Sequence, residues 1–306
     1  MSTIYKAEPL QATNGRSSGS NIVALKVTSP SSMLAPHNSE REARILYEGR
    51  HKCVIPLLET FWQAGGQFIL VFPFLAYDLE ALLREDALDT SQSLKALRSL
   101  FEALAHLHGF GIIHRDVKPS NILLRSKDGP VYLADFGIAW SPNDTNSEPP
   151  ERKITDVGTT SYRPPELLFG HKAYDTSLDI WAAGCVAAEI MRAGHQPLFD
   201  AGELGSELAL IKSMFSTLGT PNDTSWPVSQ SPFMAGIIVV VRSADIDQSA
   251  RKYPDWGKMR FYEYPAKEWI RILGGVSTEV IDFVRKTVCY ESTQRLTADQ
   301  VSREHV

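Results

Sequence analysis

Ile113-His114-Arg115-Asp116-Val117-Lys118-Pro119-Ser120-Asn121-Ile122-Leu123-Leu124 is the most informative stretch of the chain. An apolar lead-in is followed by five chemically distinct polar side chains (His114, Arg115, Asp116, Lys118 and Asn121) and then an apolar, strand-like run. Five fixed polar positions at roughly one in twenty each arise by chance in about one chain of this length in ten thousand. Asp135-Phe136-Gly137 follows fourteen residues after Asn121, directly behind the strand-like Val131–Ala134. A lone Asp-Phe-Gly reads as a turn, and a lone lysine on a strand as a solvated edge charge. Ordered co-occurrence is what carries information here.

Outward from this stretch the chain has two textures. Thr3–Lys6, Ile22–Val27, Ile55–Phe61 and Phe68–Phe72 read as strands, punctuated by Asn14-Gly15-Arg16-Ser17-Ser18-Gly19 and Gly65-Gly66. A charged, helix-favouring stretch from Ser39 to Tyr47 lies among them, with Ser39 as its expected N-cap. Beyond Asp78 helices take over. Leu94, Leu97, Leu100, Phe101, Leu104 and Leu107 recur at helical spacing, with a stop near Gly109–Gly111. Leu178–Met191 is apolar nearly all round, the mark of a buried helix. Residues 141–155 and 222–232 read as polar loops. A β-rich part followed by a helical part is an α+β plan.

The 306 residues carry 31 Lys+Arg against 36 Asp+Glu, a net charge of −5, with 43% hydrophobic and 22% charged residues. This is the balance of a folded globular protein, and it argues against nucleic acid as main partner. Cys53, Cys185 and Cys289 are dispersed and contain no Cys-x-x-Cys pair, so they read as small hydrophobes in a reducing compartment. The longest apolar runs, Ile69–Ala76 and Ala235–Val241, fall short of the roughly 18 residues of a spanning helix. No secretory signal is read in residues 1–20. The expectation is an intracellular protein of nucleus or cytoplasm, without a membrane partner.

The 113–124 stretch and Asp135-Phe136-Gly137 together resemble the catalytic loop and metal-binding motif of the eukaryotic protein kinases. The resemblance implies the bilobal kinase fold, with a small β-rich N-lobe over residues 1–74 and a large helical C-lobe over 75–306. It also implies ATP and Mg²⁺. Phosphoryl transfer needs charge neutralisation on the phosphates, metal ions and an oriented acceptor hydroxyl. By resemblance Lys26, in Val23-Ala24-Leu25-Lys26, is the phosphate-binding lysine. Glu42 is its ion-pair partner, with Glu40 the weaker candidate. Asn121 and Asp135 are the metal ligands, hard oxygen donors of the kind Mg²⁺ prefers. Asp116 takes or orients the hydroxyl proton, and Lys118 sits against the transferring phosphate. Phe72 is the gatekeeper of the hinge 70–79. Pro73 and Leu75 offer their backbone to adenine, Ile4 covers it, and Asp78 and Leu123 complete the nucleotide set. His114 reads as a packed structural histidine. Glu166 is expected to pair with Arg295, and Asp179 to brace the catalytic loop.

Tyr162-Arg163 before Pro-Pro-Glu, Pro197-Leu198-Phe199, Thr217-Leu218-Gly219-Thr220-Pro221 and Trp226-Pro227 look like the cyclin-dependent kinase branch, with its insert around 231–264. The ending Gly158-Thr159-Thr160-Ser161-Tyr162 looks more like the divergent fungal kinases that activate cyclin-dependent kinases. A protein substrate is implied, with another kinase's activation loop as one candidate. Pro36-His37-Asn38-Ser39-Glu40-Arg41-Glu42 stands where the branch carries its cyclin-binding Pro-Ser-Thr-Ala-Ile-Arg-Glu, which argues against cyclin dependence. No Gly-x-Gly-x-x-Gly occurs, so the first strand and glycine-rich loop of the fold are expected to be missing, as from an N-terminal truncation. Arg115 beside Asp116 suggests a loop ordered by negative charge, with Thr155 the nearest phosphosite. The competing reading is a kinase-fold scaffold or fragment impaired in catalysis that binds protein partners. Such scaffolds usually lose the lysine, the catalytic Asp or the metal Asp, and this chain keeps all three.

Overall fold

A computed structural model describes residues 2–8, 22–222, 225–226, 253–256 and 261–304. The turn at 14–19, the run 235–241 and most of the 222–232 loop and the 231–264 insert lie outside the described residues. Packing divides the chain into two units. The first holds residues 1–114 and 119–147, the second 115–118 and 148–306. The change from strands to helices near residue 75 falls inside the first unit, which extends into helices.

In the first unit, strands β1 (Ser2–Ala7), β2 (Val23–Thr28), β3 (Glu59–Gln63) and β4 (Gln67–Pro73) form an antiparallel sheet in the order β1-β2-β4-β3. In β2, Lys26 and Thr28 are buried two residues apart on one face. A strand buries such residues only where partners meet them, and helix α1 (Ser39–Glu48) supplies both. The Thr28 hydroxyl lies 2.9 Å from the Ser39 hydroxyl and donates to the Phe68 carbonyl at 2.7 Å. Ser39 is therefore spent on the sheet. The N-cap is Asn38, whose side chain accepts the Arg41 N–H at 2.8 Å. At the far end of α1, a Cβ on Gly49 would stand 2.7 Å from the Leu107 Cδ2 methyl, so a larger residue there would make that side chain shift.

Strand β3 starts later than the Ile55–Phe61 pattern suggests. Ile55 is buried, but its N–H bonds Leu133 at 2.9 Å instead of entering the β3 ladder. A second antiparallel sheet joins β5 (Tyr77–Asp78), β6 (Ile122–Leu124) and β7 (Val131–Leu133). Helix α2 (Leu79–Arg84) is capped by Asp78, and α3 (Thr90–Gly109) begins on an Asp89/Gln92 capping box. Leu97, Leu100, Phe101, Leu104 and Leu107 of α3 are buried, whereas Leu94 stays 44% exposed. The expected apolar stripe thus loses its first member.

The second unit contains α4 (Pro165–Leu168), α5 (Ser177–Met191), α6 (Glu207–Leu218) and helical segments over 269–273, 278–287 and 298–304. Helix α5 is buried from Leu178 to Ile190, as its all-round apolarity requires. Phe169, Phe215, Trp226, Trp256, Phe261 and Tyr290 form an aromatic cluster in this unit. Residues 141–155 are less exposed than their polarity suggests. Ser141 and Lys153 are buried, the lysine donating to the carbonyls of Pro150 and Tyr174 at 2.6 and 2.7 Å.

Candidate active site

Three segments of the first unit converge on one ammonium group. Lys26 Nζ, presented by the middle of β2, donates to both carboxylate oxygens of Glu42 at 2.7 and 2.8 Å and to Asp135 Oδ1 at 2.8 Å. Glu42 faces the sheet because Ser39 and Asn38 fix the first turn of α1. Asp135 comes from the segment after β7 and has a left-handed backbone, φ 63°. Non-glycine residues hold that conformation only where surroundings over-determine it. Glu40, the weaker candidate, makes no contact with Lys26.

Burial alone would lower the Lys26 pKa, but the negative charges of Glu42 and then Asp135 outweigh it and carry the group above its ordinary value. Burial pushes the Glu42 carboxyl up while Lys26 draws it back. With both its oxygens on an ammonium, the pair is ionised. Burial raises Asp135 too, yet the Lys26 charge and hydrogen bond prevail and hold it at about 2. At neutral pH the cluster is one cation between two carboxylates.

Asn121 is buried, and its carbonyl accepts the N–H of Ala134, the residue before Asp135, at 2.9 Å. The two expected metal ligands therefore issue from adjacent backbone. Their donors are hard oxygens, and Asp135 stays ionised far below neutral pH. Among the described residues no cluster of three or more His, Cys, Asp or Glu could cage a metal. Magnesium, which takes one or two protein oxygens and fills its shell with phosphate and water, needs no such cage, so the residues present fit it. His114 is structural as read, its Nε2 lying 3.0 Å from the Ala134 carbonyl and its ring edge-on to Phe136.

The residues expected to hold the nucleotide lie on the two sheets of the same unit and the segment between β4 and β5. Ile4 lies opposite Lys26 in the β1–β2 register and is exposed. Phe72, buried, lies opposite Ala24, and Pro73 opposite Val23. Leu75 follows, half-buried. Asp78 pairs with Leu123 across β5 and β6, and its carboxylate accepts the Ala81 N–H at 2.8 Å.

In the second unit, Asp116 and Lys118 meet at Thr159. Lys118 Nζ lies 2.9 Å from Asp116 Oδ2 and donates to Thr159 Oγ1 at 2.7 Å. Thr159 in turn donates to Asp116 Oδ1 from its hydroxyl at 2.8 Å and from its backbone N–H at 3.0 Å. Sequence reasoning gave Thr159 no role. Its signal was its place directly after Gly158, at the fixed end of the 158–166 segment. Arg115 also has a left-handed backbone, φ 70°, and its N–H donates to buried Asp179 at 2.9 Å, the expected brace. The Arg115 guanidinium, sealed from solvent, binds Glu148 at 3.1 Å. Gly158 has φ 78°, and its carbonyl accepts from Arg163 Nε at 2.9 Å. Arg295 binds Glu166 through both its terminal nitrogens, at 2.6 and 2.7 Å.

The first unit thus holds a lysine shared by two carboxylates, and the second an Asp–Lys–Thr triangle. The chain belongs to the protein kinase domain family, whose match runs over residues 11–306, and within it to the cyclin-dependent-kinase-like serine/threonine kinases. It is 35% identical over 261 residues to the serine/threonine-protein kinase csk1 of Schizosaccharomyces pombe, covering 84% of this chain and 77% of that protein. Cyclin-dependent kinase 20 of Danio rerio is 30% identical over 267 residues, 87% of this chain and 69% of the relative. The CTD kinase subunit alpha of Schizosaccharomyces pombe is 39% identical over 194 residues, 63% of this chain and 31% of that protein. The family uses ATP and magnesium generally and acts on protein hydroxyls. No helix among the described residues is long and apolar enough to cross a membrane.

Proposed function

We propose that Lys26, Glu42, Asn121, Asp135, Asp116 and Lys118 are the working residues of this kinase, on a small lobe of residues 1–74 and a large lobe of 75–306. The observation that carries the reading is the single ammonium of Lys26 held by both Glu42 and Asp135. An ammonium fixed at this height on β2 can bind phosphate oxygens without losing its position. Asp135 and Asn121 would hold magnesium, which when bound would supply charge neutralisation on those phosphates. Phe72, the backbone of Pro73 and Leu75, Ile4, Asp78 and Leu123 receive the nucleoside. Asp116 accepts the proton of the attacking serine or threonine hydroxyl, and Thr159 holds its carboxylate in the accepting orientation. Lys118 neutralises charge at the transferring group.

The test is transfer of radiolabelled phosphate from ATP to a protein substrate by this chain. Asp116→Asn should lower the rate by about 10²–10⁴, and Lys26→Met and Asp135→Asn should also fail. Equal rates in wild type and Asp116→Asn overturn the assignment. The scaffold reading predicts no transfer by any of these proteins.

The proposed substrate is the activation loop of another kinase, in cell-cycle or transcriptional control. The Gly158–Tyr162 ending supports this. Activity without a cyclin is supported by how α1 is held. Arg44 binds Asp144 at 2.5 and 3.2 Å, Asn143 donates to Glu48 at 2.7 Å, and Asn38 N–H donates to Gly137 at 3.0 Å. These bonds fix the helix that carries Glu42 with residues of its own chain. Purified chain should be active alone and weakened by Arg44→Ala with Asn143→Ala. Activity only on addition of a cyclin overturns this part.

A further inference from the structure

The first unit contains a groove of about 1190 Å³ between the loop after α1, the first turns of α3 and the start of β7. None of the residues proposed for catalysis or nucleotide binding lines it. Its walls are tied to one another. Leu133 N–H donates to the Cys53 carbonyl at 2.8 Å, joining the loop to β7. Lys52 pairs with Glu102 at 2.7 Å, joining the loop to α3. Gln92 donates to the Asp128 carboxylate at 2.7 Å and Lys95 to the Asp128 carbonyl at 2.5 Å, joining α3 to the turn before β7. A groove braced on three sides is pre-organised, so a ligand need not supply its ordering cost.

The lining combines apolar surface with excess positive charge. Leu94 is the α3 leucine left out of the core, and it stands in the groove with Pro56 and Val131. Lys52, Lys95 and Arg98 face a single lining carboxylate, Glu102, which Lys52 already occupies. Arg98 is exposed and has no hydrogen-bond or ion-pair partner among the described residues. This cationic groove lies on a chain of net charge −5, so its sign is set locally, against the whole protein.

We propose that this groove docks a short acidic segment of a protein partner, an apolar side chain seated on Leu94 and its neighbours with flanking Asp or Glu on Arg98 and Lys95. The geometry suits this occupant. Arg98 and Lys95, three residues apart on a helix, lie on neighbouring faces. A guanidinium binds carboxylate through two parallel hydrogen bonds. Leucine between carboxylates places its apolar group where Leu94 is uncovered. The inference stands apart from the proposed catalytic assignments, because binding here requires none of those residues.

The test uses the full chain and a fluorescein-labelled peptide of sequence Glu-Asp-Leu-Glu-Leu-Asp, followed by fluorescence anisotropy. Wild type should bind it, weakening as salt rises, and should not bind the counterpart with lysine at every acidic position. Arg98→Glu should weaken binding by roughly tenfold or more, and Leu94→Asp should abolish it. Lys212→Glu on α6, the same charge change at an exposed site in the other unit, should leave it unchanged. Kinase activity on a short peptide substrate should be equal in wild type and Arg98→Glu, which also shows that the variant is folded. Failure of the acidic peptide to bind, equal binding of the lysine peptide, or equal effects of Arg98→Glu and Lys212→Glu overturn the proposal. So does sedimentation showing that wild type self-associates through this face and Arg98→Glu does not.

Discussion

Arg115 Nη1 lies 3.1 Å from Glu148 Oε1, with the arginine side chain out of solvent and its guanidinium 5.5 Å from the Tyr174 ring centroid. A buried guanidinium needs an anion, and this chain supplies a carboxylate from its own loop where a phosphate was expected. Two outcomes follow. Glu148→Ala strands the buried charge and should lower stability by about 3 kcal/mol, read as a shift in the urea midpoint, with loss of activity. Thr155→Ala should leave both unchanged, because the charge that orders the loop is already present.

Asp135 carries a pH signature. Its folded pKa is about 2, below the ordinary carboxylate value near 4. The stability it contributes is complete above the unfolded value and is lost as pH falls through the folded one. Urea midpoints of wild type and Asp135→Asn should therefore differ most at pH 5–7 and converge as pH falls from about 4 to about 2. A gap that persists at pH 2 would show that the carboxylate's charge is not what Lys26 holds.

The Glu166–Arg295 pair makes two short hydrogen bonds with both side chains buried. Breaking such a pair on one side costs about 3–5 kcal/mol, because the remaining charge cannot reach water. Glu166→Ala should lower the melting temperature sharply. Glu166→Ala combined with Arg295→Met should recover part of the loss, and a thermal melt of the three variants measures it.

Gly158 permits a specificity test. Its positive φ suits glycine, and a Cβ there would stand 2.8 Å from the Arg115 carbonyl oxygen. Gly158→Val should cost stability. Because Arg163 already donates to the Gly158 carbonyl, that oxygen is less available to the N–H of a substrate residue, and proline has no such N–H to satisfy. Peptides with proline after the serine should show higher kcat/KM than those with alanine. Arg163→Met should narrow the difference.

What could be read beforehand follows the range of the interactions involved. Helix α5 is apolar all round, so its burial is written in its own residues. Lys26, Asn121 and Asp135 sit in local motifs, and the structure brings Lys26 and Asp135 into contact across 109 positions. Asn38 and Ser39 are both good caps. Only the Thr28 hydroxyl, on a strand eleven residues away, decides between them. Ile55 and Leu57 look like strand residues, yet Leu133 takes the Ile55 N–H. Glu148 had no local mark, since its partner lies 33 residues earlier and in a different kind of segment. Leu94 fits the helical period but falls where nothing covers the helix.

The junction at Lys26 has a bearing on heredity as well as chemistry. Because one ammonium answers to a carboxylate on a helix and another on a loop, the fitness of any residue at positions 26, 42 and 135 depends on the other two. Replacing Glu42 alone leaves the lysine tethered to the Asp135 carboxylate, so a loss in one place is felt as a misplacement in another. Divergent copies of this chain should therefore keep or abandon the three positions as a set.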